Sequence, residues 1–394
     1  LKYCVIILDG SAGWPLPELS GRTTLQAAAT PNLDRMAREG TCGLAQTVPE
    51  GEEPSSAAAC TSILGYDPVA DKIGRGAIEA ASIGIELAPD EVALRLNLVT
   101  LHDDAMASYA GGHVSTPEAH EIVAELAASL DSATFRLYPG VAYRHILVVK
   151  GHPELMDVLQ YTPPHDISDK PYAEHLPRGA GAQLLLDYMD RARPILAGSE
   201  VNAARAAKAL LPVTDVWPFW PGVAPKGMAS FEGSRGHKAA LTSGVDLLNG
   251  LAVLAGIDRL DIPGVSDGPD NDYVAQAEGG LAALVDHDVV VIHVESPDEA
   301  GHAGDLAEKI AAVEAIDREV VSRALSYGGQ LRVLAMPDHP TPIALKTHVG
   351  EAVPFALWGP GINSNGADGY DEPSAAGTGL FVDPGRGVMD LLLG

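Results

Sequence analysis

Residues 287–302 read HDVVVIHVESPDEAGH. The continuous apolar run from His287 to Val294 is the pattern of a strand buried on both faces, and it stops abruptly at an acidic, turn-forming stretch. Asp298 and His302 are spaced i to i+4, so one helical turn brings them onto the same face, the geometry a shared metal ion requires. Residues 305–325 then carry a helical pattern, with Leu306, Ile310, Val313, Ile316, Val320 and Val321 along one side. Strand, polar turn and helix in succession predict an α/β fold built on a doubly wound, mostly parallel sheet. Sites in such sheets are built where the strands end.

The same grammar recurs outward from this stretch. Tyr3 to Leu8 is a second apolar run, closed by Asp9-Gly10, and a helix starts at Thr30-Pro31, with Thr as N-cap, and ends at Gly40. Leu331 to Met336 is a third strand, running into PDHPTP with Asp338 and His339 adjacent. Val353 to Trp358 is a fourth, and His348 precedes it in LKTHVG. Carboxylates and imidazoles without thiolates suit Mn²⁺ or Zn²⁺, and Mg²⁺ less well. Asp9, Asp298, His302, Asp338, His339 and His348 exceed what one ion takes from protein, so two divalent ions are expected.

The middle of the chain differs. It alternates strand-like pieces (RLNLVTL, FRLYPGVAYRHILVVKG) with helical ones (PEAHEIVAELAASL, GAQLLLDYMDRAR). This predicts an inserted α+β domain over 76–235, between two halves of the sheet domain, 1–75 and 236–394. The pairs Trp217-Pro218 and Trp220-Pro221 are expected to form a rigid packed loop.

Composition narrows the function. Of 394 residues, 26 are Lys or Arg and 53 Asp or Glu, a formal net charge of −27. That excess repels nucleic acid and anionic membranes, although local cations and metal ions still permit a small phosphorylated substrate. No apolar run approaches the roughly 18 residues of a membrane span, and no signal-peptide pattern opens the chain. Cys4, Cys42 and Cys60, odd in number and widely spaced, suit small core residues in a reduced cytoplasm.

Residues 51–68, GEEPSSAAACTSILGYDP, supply a nucleophile. A hydroxyl at a helix N-terminus gains from the helix dipole and free N–H groups, and a metal ion can deprotonate it. Spacing alone leaves Ser55, Ser56, Thr61 and Ser62 open, and a serine here also serves as a plain helix cap.

At these motifs the chain resembles the archaeal-type cofactor-independent phosphoglycerate mutases of the alkaline phosphatase superfamily. The likeness extends through ILDG, TPNLDRMAREG, SILGYDP, GRGAIEAASIGIEL, GGHVST, YPGVAYRHILV, TPPHDI, ESPDEAGHAGD, MPDHPTP and THVGEAVPFALWGPG. Within the family it is especially similar to a branch proposed to act as homoserine kinases. The resemblance implies two divalent ions, usually manganese: one held by Asp298, His302 and His348, the other by Asp9, Ser56, Asp338 and His339. It implies that Ser56 attacks a phosphoryl group and returns it to another hydroxyl of the same substrate, interconverting 3- and 2-phosphoglycerate. A homoserine kinase or a phosphohydrolase would use the same centre. The family's Pro-Gly-Ser-Asp block reads Pro54-Ser55-Ser56-Ala57 here, without its acidic residue. In the insert, His113, Arg144, His165, Asp166 and Arg205 are candidates to bind substrate or shuttle protons, with Lys238 near the return crossing. No GxxxxGK[ST] occurs, so any nucleotide would be held without a P-loop.

Overall fold

In the computed structural model, which describes every residue except Lys72, Leu159, Lys226 and Gly227, Lys2–Leu8 forms strand β1 and all of it but Lys2 is buried. Two compact units follow from the contacts: Leu1–Lys72 with Lys226–Gly394, and Ile73–Pro225. The chain's strands are β1, β2 (Thr41–Ala45), β3 (Glu91–His102), β4 (Ala105–Ser108), β5 (Phe135–Tyr138), β6 (Arg144–Lys150) and β7 (Asp215–Val223). They continue as β8 (Ala239–Thr242), β9 (Asp258–Arg259), β10 (Val289–Val294), β11 (Leu331–Met336), β12 (Val353–Trp358) and β13 (Phe381–Val382).

The first unit holds an eight-stranded sheet in the order β13-β2-β12-β11-β1-β10-β8-β9. β1 is flanked by β10 and β11, both parallel to it, which explains the uninterrupted apolar runs: these strands are covered on both faces. β12 runs antiparallel to β11 and to β2, so the sheet is mixed but mostly parallel. Register fixes the functional edge. Leu8 lies opposite Val294, and Ile7 opposite both His293 and Met336. The residues just past β1, β10 and β11 therefore emerge together.

Two helical details depart from the sequence reading. Thr30 makes no side-chain cap to the Pro31–Glu39 helix; Asp317 instead accepts from the N–H groups of Asn32 (3.3 Å) and Leu33 (2.7 Å). The helix expected over 305–325 is α-helical over Leu306–Ala315, a π-helix over Ile316–Val321, and α-helical again over Ser322–Leu325. The π segment carries Asp317, the residue turned inward to cap the neighbouring helix.

The second unit is an antiparallel sheet of five strands centred on β3, with β6, β4 and β7 as its partners and β5 beyond β6. Its core combines Leu94, Leu96 and Leu98 of β3 with Leu126 and Leu185 from two long helices. The Trp-Pro pairs, expected in a loop, lie in β7. Proline removes a ladder donor, which an edge strand or a bulge tolerates. β7 pairs with β3 alone among the described strands, and its register slips between Leu94 and Arg95, where Trp220 (φ +48°) bulges out. The unit ends at Pro225, earlier than the crossing expected after residue 235, so the Phe231–Arg235 helix belongs to the first unit.

The three cysteines are buried and free. Among the described residues no helix is long and apolar enough to cross a membrane.

Candidate metal centre

Asp9 follows β1, Asp338-His339 follow β11, and Asp298 and His302 lie on the Ser296–Ala303 helix that follows β10. Their convergence is a consequence of parallel pairing. Gly10 makes the turn after β1 at φ +59°, and its N–H donates to Asp338 Oδ1 at 3.1 Å. A Cβ there would stand 2.2 Å from Asp298 Oδ1, so the close approach of the two acidic segments requires glycine.

Hydrogen bonds set the histidine tautomers. His302 Nδ1 lies 3.0 Å from Lys346 O, and His348 Nδ1 3.3 Å from Pro54 O. A carbonyl only accepts, so each Nδ1 carries a proton and each Nε2 is turned towards the Asp298 carboxylate. Thr341 Oγ1 donates to Asp298 Oδ1 and so accepts from His339 Nδ1 at 3.3 Å, leaving His339 Nε2 bare. Inward from these rings, Asp298 Oδ2 is 3.0 Å from His302 Nε2 and 3.5 Å from His348 Nε2. Asp338 Oδ2 is 3.2 Å, and Asp9 Oδ1 3.7 Å, from His339 Nε2.

Imidazole Nε2 atoms and carboxylate oxygens thus converge in one cluster. Asp9, Asp338 and His339 are fully buried, and Asp9 Oδ1 has no hydrogen-bond partner among the described residues. Two groups have the spacing to hold an ion, Asp298–His339–His348 and Asp9–Asp338–His339, and a third is Asp9–His293–Glu295. This donor set fits divalent cations.

The electrostatics agree. Burial, reinforced by Asp338 and Asp298, pushes the Asp9 carboxyl well above its ordinary range. Burial raises Asp298 too, but hydrogen bonds from His302 and His348 outweigh it and hold that carboxyl well below. The Asp298 contact lifts His302 to about 9, whereas burial holds His339 below its ordinary value. Cys60, 3.7 Å from Asp338 Oδ2, is pushed well up by burial and that carboxylate, so it is an inert thiol.

Ser56 opens the Ser56–Ile63 helix, and its Oγ is 3.1 Å from His339 Nε2. The other hydroxyls left open by spacing point elsewhere. Ser55 caps the helix by accepting from Ala58 N, Thr61 donates to Ala57 O, and Ser62 lines a cavity with Asp67, Asp383 and Arg386.

Several neighbours escaped the sequence reading. His293 lies 2.7 Å from Asp9 Oδ2, with Glu295 beside it at 3.6 Å. Lys309, fully buried, donates to Ala12 O (3.2 Å) and Thr341 O (2.7 Å), tying the loops after β1 and β11 together. Burial brings its ammonium down to about 8. The HVES junction held the signal for His293 and Glu295: polar residues alternating with apolar ones at the end of a buried strand.

The remaining candidates divide. Arg205 is 2% exposed; it pairs with Glu118 at 2.8 Å and donates to the carbonyls of Gly111, Gly112 and Leu211. Every guanidinium nitrogen is engaged within the second unit. Lys238 precedes β8, and its carbonyl accepts from Asp288 N and Val289 N at the start of β10. It sits at the opposite end of the parallel strands from the carboxylates, paired with Asp258. Both cations are thus already partnered, Arg205 by carbonyls and Glu118, and Lys238 by Asp258.

His113, Arg144, His165 and Asp166 are exposed on the second unit. His165 lies 5.8 Å from the Trp220 ring, over which Arg75 stacks at 3.9 Å, and Arg95 pairs with Glu79 nearby. Burial, and then Arg95 and Arg75, keep His165 low against the pull of Asp166.

Fold and site together define the class: an α/β protein whose mostly parallel sheet carries a candidate divalent-metal centre at the carboxyl ends of its strands. The profile of the 2,3-bisphosphoglycerate-independent phosphoglycerate mutases matches residues 37–202. The mutase of that name from Methanothrix thermoacetophila is 44% identical, covering 100% of both chains. A probable one from Geobacter sulfurreducens is 42% identical, also over 100% of both. Among solved structures, the cofactor-independent phosphoglycerate mutase from Thermoplasma acidophilum is 29% identical with a TM-score of 0.71, covering 100% of this chain and 98% of that one. A Pyrococcus horikoshii protein is 25% identical with a TM-score of 0.84, over 100% and 96%. The chain belongs to the 2,3-bisphosphoglycerate-independent phosphoglycerate mutase family.

Proposed function

We propose that this chain interconverts 3-phosphoglycerate and 2-phosphoglycerate through a phosphoserine at Ser56. The observation that carries the reading is the placement of Ser56 Oγ at a helix N-terminus, 3.1 Å from the bare Nε2 of His339 and among buried carboxylates. Asp298, His302 and His348 would hold one divalent ion, and Asp9, Ser56, Asp338 and His339 the other, with Mn²⁺ preferred by this mixed imidazole–carboxylate set. When bound, the ions neutralise the buried carboxylates and spread charge over the attacking and leaving oxygens.

Ser56 Oγ attacks phosphorus in line and the bond from phosphorus to the substrate's O3 breaks. The proton lost from Ser56 ends on O3. The free glycerate turns, its O2 attacks the phosphoserine, and Ser56 Oγ regains a proton as 2-phosphoglycerate forms. Net composition is unchanged, as an isomerisation requires.

Within the second unit, Arg144, His165, His113 and Asp166 are candidates to bind an anionic substrate, being exposed there. A guanidinium such as that of Arg144 suits a carboxylate or phosphate. The three unpaired cysteines fit a reduced, cytoplasmic setting.

The test is phosphorus NMR of 3-phosphoglycerate with the Mn²⁺-loaded protein and no nucleotide, beside an arm with homoserine and ATP. Appearance of 2-phosphoglycerate, with phosphate mapped to Ser56 by mass spectrometry, is expected. Phosphohomoserine in the second arm with no product in the first would overturn the mutase reading.

A further inference from the structure

The two oxygens of Asp9 are treated differently. Oδ2 is 2.7 Å from His293 Nε2, whereas Oδ1 has no hydrogen-bond partner among the described residues and stands 3.7 Å from His339 Nε2. His293 is in register with Ile7, so its ring and the Asp9 carboxylate two residues beyond Ile7 fall on one face of the sheet. His293 Nδ1 in turn lies 2.9 Å from Ser243 Oγ, just past β8, and that Oγ accepts the N–H of Val245 at 3.0 Å. His293 is fully buried, and Glu295 Oε2, 3.6 Å from Nε2, is beyond hydrogen-bond reach.

Counting donors settles the tautomer. With one Ser243 lone pair taken by Val245, the hydroxyl proton goes to His293 Nδ1, and His293 Nε2–H donates to Asp9 Oδ2. The reverse assignment would leave the Ser243 hydroxyl proton without an acceptor among the described residues. His293 therefore carries its proton on the nitrogen opposite to that used by His339 and His348.

We propose that Ser243 and His293 form a positioning relay that holds Asp9 Oδ2 and so presents Oδ1 to the metal centre. The inference rests on the reading of Asp9 as a metal ligand. His293 acts through Asp9 and touches neither ion nor substrate. The relay also anchors that ligand to β8, whose residues supply no ligand. Partners of this kind behind a ligand are worth about 10- to 100-fold in metal affinity.

The test uses the full chain. In metal-free protein with ¹⁵N-labelled histidine, His293 should show a protonated Nε2 and a bare Nδ1; a protonated Nδ1 would overturn the relay without any variant. Mn²⁺ titration, with folding checked by circular dichroism, then compares Ser243→Ala, Ser243→Thr, His293→Asn and Asp9→Asn. The alanine and asparagine variants at 243 and 293 should weaken one of two Mn²⁺ sites about 10- to 100-fold and alter its electron paramagnetic resonance spectrum. Threonine, which keeps the hydroxyl, should restore both. If Asp9→Asn loses an ion while Ser243→Ala and His293→Asn bind as wild type, or if threonine fails to restore, the relay is wrong and the ligand reading stands. If Asp9→Asn binds two ions normally, the ligand reading itself fails.

Discussion

His302 Nε2 and His348 Nε2 face each other at 2.9 Å, and the second nitrogen of each ring is bonded to a main-chain carbonyl. Two imidazole lone pairs at that separation repel unless a cation stands with them. In the metal-free protein a proton serves, because the Asp298 carboxylate holds His302 up to about 9. A divalent ion replaces it.

From this, the protein should bind close to two Mn²⁺ per chain, and His348→Ala should cost one of them while leaving the fold. At Mn²⁺ about 100-fold above its dissociation constant, each site should add about 2.7 kcal/mol of stability. Elemental analysis and melting with and without chelator measure both; an unchanged melt and no bound metal would sink the centre.

Gly10→Ala should disturb the site without touching a ligand. The added Cβ meets Asp298 Oδ1 and Thr341 Oγ1, and φ +59° costs an alanine about 1–2 kcal/mol. Calorimetry should show weakened Mn²⁺ binding; wild-type affinity would mean the turn relaxes freely.

Ser56→Ala should lower transfer by roughly 10⁶-fold, the scale of losing a catalytic nucleophile, while two ions or nearly so are retained through Asp9, Asp338 and His339. Ser55→Ala should instead cost about 1 kcal/mol of stability, since Ser55 caps the helix. Rates and denaturant midpoints of the two variants separate the roles, and the opposite pattern would move the nucleophile one residue.

Arg205→Met should destabilise the second unit by about 3–5 kcal/mol, because it strands a buried set of acceptors. A variant as stable as wild type but with a raised KM would return Arg205 to the substrate site.

His145 makes the second unit acid-sensitive. Gly140 N donates to its Nδ1 at 3.0 Å, so Nε2 carries the proton, buried and without a partner among the described residues. Burial, helped by His120, brings its pKa from 6.5 down to about 3. The folded form stays neutral while the unfolded chain takes up a proton, so this stability is complete above pH 6.5 and is lost as pH falls towards 3. The loss runs at about 1.4 kcal/mol per pH unit. Denaturant melts between pH 7 and 4 should show His145→Gln lacking that slope; equal slopes would refute the assignment.

The sequence by itself determined the sheet and the gathering of Asp9, Asp298, His302, Asp338, His339 and His348. Each follows or flanks a continuous apolar run, and strands buried on both faces and laid parallel must end at one edge. Tertiary structure alone decided the rest, because the remaining roles depend on partners distant in the chain. His293 lies inside an apolar run, and only the pairing of β8, β10 and β1 shows Ser243 on one side of it and Asp9 on the other. Arg205 and Lys238 look alike as free cations in a sequence. One has its donors consumed by carbonyls brought in from another segment, and the other sits at the far end of its strand. Whether a charged group meets a ligand or a backbone acceptor is a matter of which atoms close packing puts within about 3 Å of it, and sequence spacing carries no information about that distance.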